Sequence, residues 1–145
     1  MSEAIVITRT FDAPREAVYD AWITPEHFSR WFGTEAVAVP LDTLDMDVRV
    51  GGRWRAVMHL PDGALIDWTG EYLTLDRPNQ LAFTITDRPD DPERMTVVVT
   101  LTVVDGATQM TMTQPGGQMS DEQIARTTAG YNDFFDVIEK IVRRR

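Results

Sequence analysis

Only a few side chains among these 145 residues could carry acid–base chemistry. Asp67 and Glu71 stand four apart in a stretch that reads as a strand, so without a bulge both carboxylates share one face. Turned inward, one of them would have a raised pKa and serve as a general acid or base. Turned outward they form a solvated pair, and unpaired buried acids are rare. The two histidines are far apart in sequence. His59 alternates with Arg53 and Arg55 and is expected to face away from Trp54 and Met58, while His27, next to Phe28 on a short helix, is expected in solvent. The chain has no cysteine, hence no thiol nucleophile, disulfide frame or thiolate metal site. No His-x-x-x-His pair, Gly-x-Ser-x-Gly elbow, phosphate loop or dinucleotide fingerprint is present, so neither a metal nor a cofactor is expected.

What remains is apolar recognition. Trp54 and Met58 from one strand, Phe83 and Ile85 from another, and Met110 and Met112 from a third are expected to face Thr128, Tyr131 and Phe135 of the last helix. Trp68 and Tyr72 join them unless a bulge near Gly70 reverses their face. Methionines and aromatics of this kind suit an adaptable pocket for an apolar ligand. They suit a filled core equally well.

The elements that would position these residues follow from pattern. Ala4 to Phe11 is rich in β-branched residues and reads as a strand. Asp12-Ala13-Pro14 stops it and opens a helix carrying Ala17, Val18, Ala21 and Trp22 at helical spacing. Thr24-Pro25-Glu26, a capping hydroxyl followed by proline, starts a second short helix with Phe28, Trp31 and Phe32 on one face and Gly33 as its stop. From about Val37 to Gln114 strands and turns alternate. Arg53 to Leu60 shows the alternation of a half-buried strand, Ile66 to Leu75 follows, and Leu81, Phe83 and Ile85 line a third. After the charged turn from Asp87 to Glu93, Met95 to Val104 and Thr108 to Gln114 form a hairpin about Asp105-Gly106. Such short joins make an antiparallel meander. The spacing then predicts a long helix opened by a capping box, Ser120 with Gln123, and reaching to about Arg143. Its stripe of Ile124, Thr128, Tyr131, Phe135, Ile138 and Val142 is widened by Phe134, Val137 and Ile141, so it must lie in a groove. Gly130 in its middle is either a tolerated glycine or the mark of a close approach by backbone or ligand.

Composition bounds the partners. With 43% hydrophobic and 26% charged residues the chain is an ordinary globular sequence, read as a single domain over 1–145. A net charge of -9 argues against nucleic acid, whose phosphates need clustered cations. The terminal Arg143-Arg144-Arg145 run suits the negative end of a helix dipole. No apolar run approaches the roughly 20 residues that span a membrane. The start, Met1-Ser2-Glu3-Ala4-Ile5-Val6, lacks the basic and apolar segments of a signal peptide. The expected location is the cytoplasm.

The order of strand, two short helices, six-stranded meander and long C-terminal helix resembles the helix-grip fold. The residues that carry the resemblance are Ile7 to Pro14, Val18 to Trp22, Thr24-Pro25-Glu26 with Arg30-Trp31-Phe32, and Gly51-Gly52-Arg53-Trp54. Gly70-Glu71-Tyr72 with Pro78 and Leu81, Gly106-Ala107-Thr108 and Gly130-Tyr131 continue it in the same order. Together they are similar to the SRPBCC superfamily of START and birch-pollen-allergen-like domains, in the branch named for heat-shock-protein ATPase activator homologues. The resemblance implies an α+β fold, a curved antiparallel sheet wrapped around the last helix. It also implies a cavity between sheet and helix that takes a small hydrophobic or amphipathic molecule. Alternatives within the superfamily are a cyclase or hydratase using a pocket carboxylate, here Asp67 or Glu71, and a protein-interaction or co-chaperone-like module. The eukaryotic activators carry a separate N-terminal domain for their major chaperone contacts, so a chaperone partner is not expected of these 145 residues. A homodimer through Trp31, Phe32 or a sheet edge stays open.

Overall fold

The computed structural model describes residues 4–32, 39–88, 94–117 and 119–143; the expected helix stop at Gly33, most of the charged turn after Arg88 and the last two arginines lie outside them. Strand β1 (Ile5–Phe11) buries Ile5, Ile7 and Phe11 and exposes Val6, Thr8 and Thr10, as its alternating sequence requires. Pro14, in extended conformation, precedes α1 (Arg15–Ile23), which buries Val18, Tyr19, Ala21 and Trp22. Thr24 alone separates α1 from α2 (Pro25–Trp31). The expected hydroxyl cap is not made: the Thr24 side chain bonds nothing in the helix. Pro25 suffices to start it, because its fixed φ is already helical and it has no N–H to satisfy.

After a single 3-10 turn at Leu41–Thr43 come β2 (Asp45–Met46), β3 (Arg53–His59), β4 (Leu65–Asp76), β5 (Gln80–Ile85), β6 (Met95–Val104) and β7 (Ala107–Gln114). The seven strands form one antiparallel sheet in the order β1-β7-β6-β5-β4-β3-β2. The last six are a meander, and β1 closes the far edge by pairing Ile5 with Gln114 through Phe11 with Thr108. At the β6–β7 turn both central residues, Asp105 (φ 52°) and Gly106 (φ 78°), take the left-handed conformation that a two-residue hairpin demands.

The last helix, α3 (Asp121–Val142), is 22 residues long, about 33 Å. Its capping box is complete. Ser120 Oγ accepts from the Gln123 amide at 3.1 Å, and Gln123 Oε1 accepts from the Ser120 amide at 2.8 Å. The C-terminal half of α3 is held by β1, where Arg9 reaches Asp136 at 2.9 Å and Glu139 at 3.4 Å and donates to the Asn132 carbonyl. The two carboxylates are exposed and Arg9 is part-buried, so these pairs contribute at most about 1 kcal/mol. The grip comes from packing: Tyr131, Phe135 and Ile138 are buried against the sheet and the short helices.

Between sheet and α3 lies a continuous set of rings. Trp22 of α1 contacts Trp31 (4.8 Å), Phe83 (6.0 Å) and Phe135 (5.9 Å). Phe28 reaches Trp54, and Phe32 reaches Trp54, Trp68 and Phe134, all at centroid distances of 5.4–6.0 Å. Trp54 then needs room beside the neighbouring strand, and Gly70, its register partner on β4, supplies it. A Cβ at Gly70 would fall 1.8 Å from the Thr84 carbonyl oxygen and 2.4 Å from Trp54 Nε1, which donates to that same carbonyl at 3.1 Å. Gly70→Ala should therefore destabilise the fold by about 1–3 kcal/mol, the range for overpacked interiors. Urea denaturation with tryptophan fluorescence measures it, and an unchanged midpoint would show that this close approach is not required.

Candidate functional site

The ring cluster does not fill the groove under α3 along its whole length. Beyond Phe32 and Phe134 a half-open cleft of about 740 Å³ remains. On α3 its wall is Gln123, Thr127, Gly130, Tyr131 and Phe134, a stripe at the three- and four-residue spacing of one helix face. The sheet contributes Met58 of β3, Trp68 of β4, Ile85 of β5, Met95 and Thr96 of β6 and Gln114 of β7. Arg88, Arg94 and Asp87 stand exposed at its polar side, with Met119 just before the helix.

Of the residues expected to line a pocket, Met58, Trp68, Ile85 and Tyr131 border this cleft. Trp54, Tyr72, Phe83, Met110, Met112 and Phe135 lie outside the cleft, packed in the core; Met110, Met112 and Phe135 are fully buried. Thr128 is half-buried and its hydroxyl donates to the Ile124 carbonyl one turn back, at 2.8 Å. Its neighbour Thr127 is the threonine that α3 places on the cleft wall. Trp68 and Tyr72 keep the inward face, because the irregularity in β4 falls at Leu73, between Tyr72 and Thr74, and not at Gly70.

That register decides the carboxylates. With Trp68, Gly70 and Tyr72 inward, Asp67 and Glu71 point out, and neither belongs to the cleft. Asp67 accepts both Nε and Nη2 of Arg55 at 2.8 Å, a bidentate pair on the outer face of the sheet. Glu71 is exposed. The inward placement that would have raised a pKa is thus corrected: the Arg55 hydrogen bonds, opposed in part by partial burial, hold the Asp67 carboxyl below its usual range. His59 is exposed on the same outer face, as its alternation implied. His27 is half-buried rather than solvated, and its Nδ1 has no partner among the described residues. Among those residues no three His, Asp or Glu side chains meet as a metal would require.

The group that the sequence reading passed over is Gln114. It closes β7, where Thr108, Met110, Met112 and Gln114 are the buried alternate positions. The signal was available, since the period of two carries the apolar row straight onto a glutamine. Only 5% exposed, Gln114 takes the Tyr131 hydroxyl on its Oε1 at 2.5 Å and gives an amide hydrogen to Met95 Sδ at 3.3 Å. Burial raises the Tyr131 pKa well above that of a free phenol, so it is a neutral donor at any physiological pH. The cleft is therefore a mainly apolar space with a buried neutral polar pair on its wall, Thr86, Thr96, Gln123 and Thr127 beside it, and the exposed charges of Asp87, Arg88 and Arg94.

The outward carboxylate is directly checkable. Because the folded pKa of Asp67 lies below the unfolded value, the pair's contribution is present above that value and is lost as pH falls through the folded one. Side-chain carboxyl NMR should give Asp67 a midpoint below 3.8, moving up toward it in Arg55→Ala. A midpoint raised above 3.8 would place the carboxylate in the interior after all.

Comparison with known proteins agrees with this architecture. The family described as Activator of Hsp90 ATPase homolog 1-like protein matches residues 12–143. The crystal structure of protein CV1439 from Chromobacterium violaceum is similar over 99% of this chain and 100% of its own, with a TM-score of 0.87 at 23% identity. Protein NE0264 from Nitrosomonas europaea gives 0.82 at 22% identity, covering 96% and 93% of the two chains. The solution structure of the AHSA1-like protein from Aeromonas hydrophila gives 0.77 at 26%, covering 95% and 90%. No curated protein matches the sequence. The chain belongs to the Activator of Hsp90 ATPase homolog 1-like family of the SRPBCC clan and has its helix-grip fold.

Proposed function

We propose that this protein binds a small hydrophobic or amphipathic molecule in the cleft between its sheet and the N-terminal half of α3. The observation that carries the reading is the cleft itself, about 740 Å³, within the size range of small-molecule sites, with more apolar than polar surface on its wall. Gly130 supports it. A Cβ there would meet nothing within 4 Å, so no neighbouring backbone explains the glycine, and its position in the wall stripe faces it toward the space. The acidic, cysteine-free composition supports a cytoplasmic location.

The enzyme reading loses the two carboxylates that motivated it, since Asp67 and Glu71 are on the other face of the sheet. Among the described residues the cleft wall has one carboxylate, Asp87, and it is exposed. The activator activity in the family's description belongs to its namesake, and no feature of the cleft favours it here.

Filling the cleft should separate binding from folding. In Gly130→Leu the new side chain enters the space, and losing a helical glycine stabilises α3 by up to about 1 kcal/mol. A lipophilic fluorophore should titrate saturably into the native protein. The variant should bind it on the order of tenfold more weakly while melting at the same or a higher temperature. Equal binding by both proteins would contradict the proposal, as would no saturable binding by either.

A further inference from the structure

The polar pair on the cleft wall says something about the head of the ligand, and this inference rests on the binding function proposed above. A glutamine amide has two hydrogens and a carbonyl oxygen to satisfy. The oxygen of Gln114 is taken by the Tyr131 hydroxyl, which also fixes the amide with its nitrogen toward Met95. One amide hydrogen goes to the Met95 thioether, a weak acceptor; the structure gives that nitrogen no other side-chain acceptor among the described residues. Gln114 and Tyr131 are 5% and 8% exposed, and both form part of the cleft wall. A buried amide left short of an acceptor is costly, because its desolvation is not offset by a hydrogen bond of full strength.

We infer that the cleft selects uncharged apolar molecules bearing a carbonyl oxygen, which accepts the remaining amide hydrogen of Gln114. The carbonyl completes the amide where water is largely excluded, and the methionine and aromatic wall takes the apolar body. A carboxylate is disfavoured at this position, because the wall there offers two neutral groups and the site is desolvated. The same desolvation keeps the Tyr131 phenol un-ionised. Arg88 and Arg94 of the same cleft are exposed, whereas Gln114 and Tyr131 are buried.

Three naphthalenes of nearly the same shape test this: 2-acetylnaphthalene, 2-ethylnaphthalene and 2-naphthoate, titrated calorimetrically into the native protein and into Gln114→Met/Tyr131→Phe. The double variant replaces both members of the pair by apolar groups of similar size, a change that can be nearly neutral for folding. Its melting temperature and circular dichroism verify that. The ketone should bind the native protein about five- to tenfold more tightly than the hydrocarbon, the worth of one neutral hydrogen bond. The double variant should lose that preference and bind ketone and hydrocarbon with equal affinity. Equal binding of ketone and hydrocarbon by the native protein, or a preference that survives in the double variant, would overturn the inference and leave the binding function standing. Tighter binding of the naphthoate would move the head group to the arginines and overturn it too. Should none of the three bind, the proposed function itself fails and the inference with it.

Discussion

The structure depends on how far the rings of the two short helices reach under the long one. Trp22, Phe28, Trp31 and Phe32 enter the groove from one side and meet Trp54, Trp68 and Phe83 of the sheet and Phe134 and Phe135 of α3. Each ring pair adds about 0.5–1.5 kcal/mol to the burial of its area. Together they weld the C-terminal half of the helix to the sheet. Two buried hydrogen bonds hold the wedge in place: Trp31 Nε1 to the Ala21 carbonyl, and Thr108 Oγ1 to the Ala13 carbonyl, each at 2.7 Å. Where the rings stop, at Phe32, Trp68 and Phe134, the cleft begins, and these three side chains belong to both. The same packing that makes the fold stable therefore sets one end of the candidate site.

The two faces of the sheet are kept apart by strand period alone. On the outer face charges pair with one another, as Arg55 does with Asp67, and the turn after β4 is tied to α1 by a bidentate Arg77–Asp20 contact at 2.9 Å. On the inner face the buried polar groups, Thr108 and Gln114, are neutral, and the part-buried Arg9 of β1 pairs with Asp136 and Glu139 of α3. Had β4 slipped by one residue, Asp67 and Glu71 would face the rings and Trp68 and Tyr72 the solvent. The pairing of Trp54 with Gly70 opposes that slip, since only glycine leaves space for the indole there.

Much of the scaffold was legible because its signals are local. Ser120 with Gln123, Asp105-Gly106, Pro14 and Pro25 each act within a few residues, and the alternation in β1, β3 and β7 needs no partner to be read. The site was legible only in part, because whether an inward residue lines a cavity or fills it depends on what other elements deliver to the same place. Trp54 and Met58 are two turns of one strand pattern, yet Phe28 and Phe32 cover the first and leave the second open. Met110 and Met112 look no different in sequence from Met95, which lies on the wall. The face of Asp67 turned on a single irregularity whose position, Leu73 rather than Gly70, no composition marks. Gln114 could have been found, since it continues a buried row, and an inward glutamine among methionines is the kind of exception that points to a site.

That division between core and cleft methionines supplies the most direct test of the account. Methyl-labelled methionine spectra would be followed as 2-ethylnaphthalene is added. Saturable shifts should appear at Met58, Met95 and Met119, whose side chains border the cleft, while Met110 and Met112, fully buried in the core, stay where they are. Shifts absent from the first three, or spread evenly over all five, would contradict it: the space under α3 would then not be where this protein takes up a small apolar molecule.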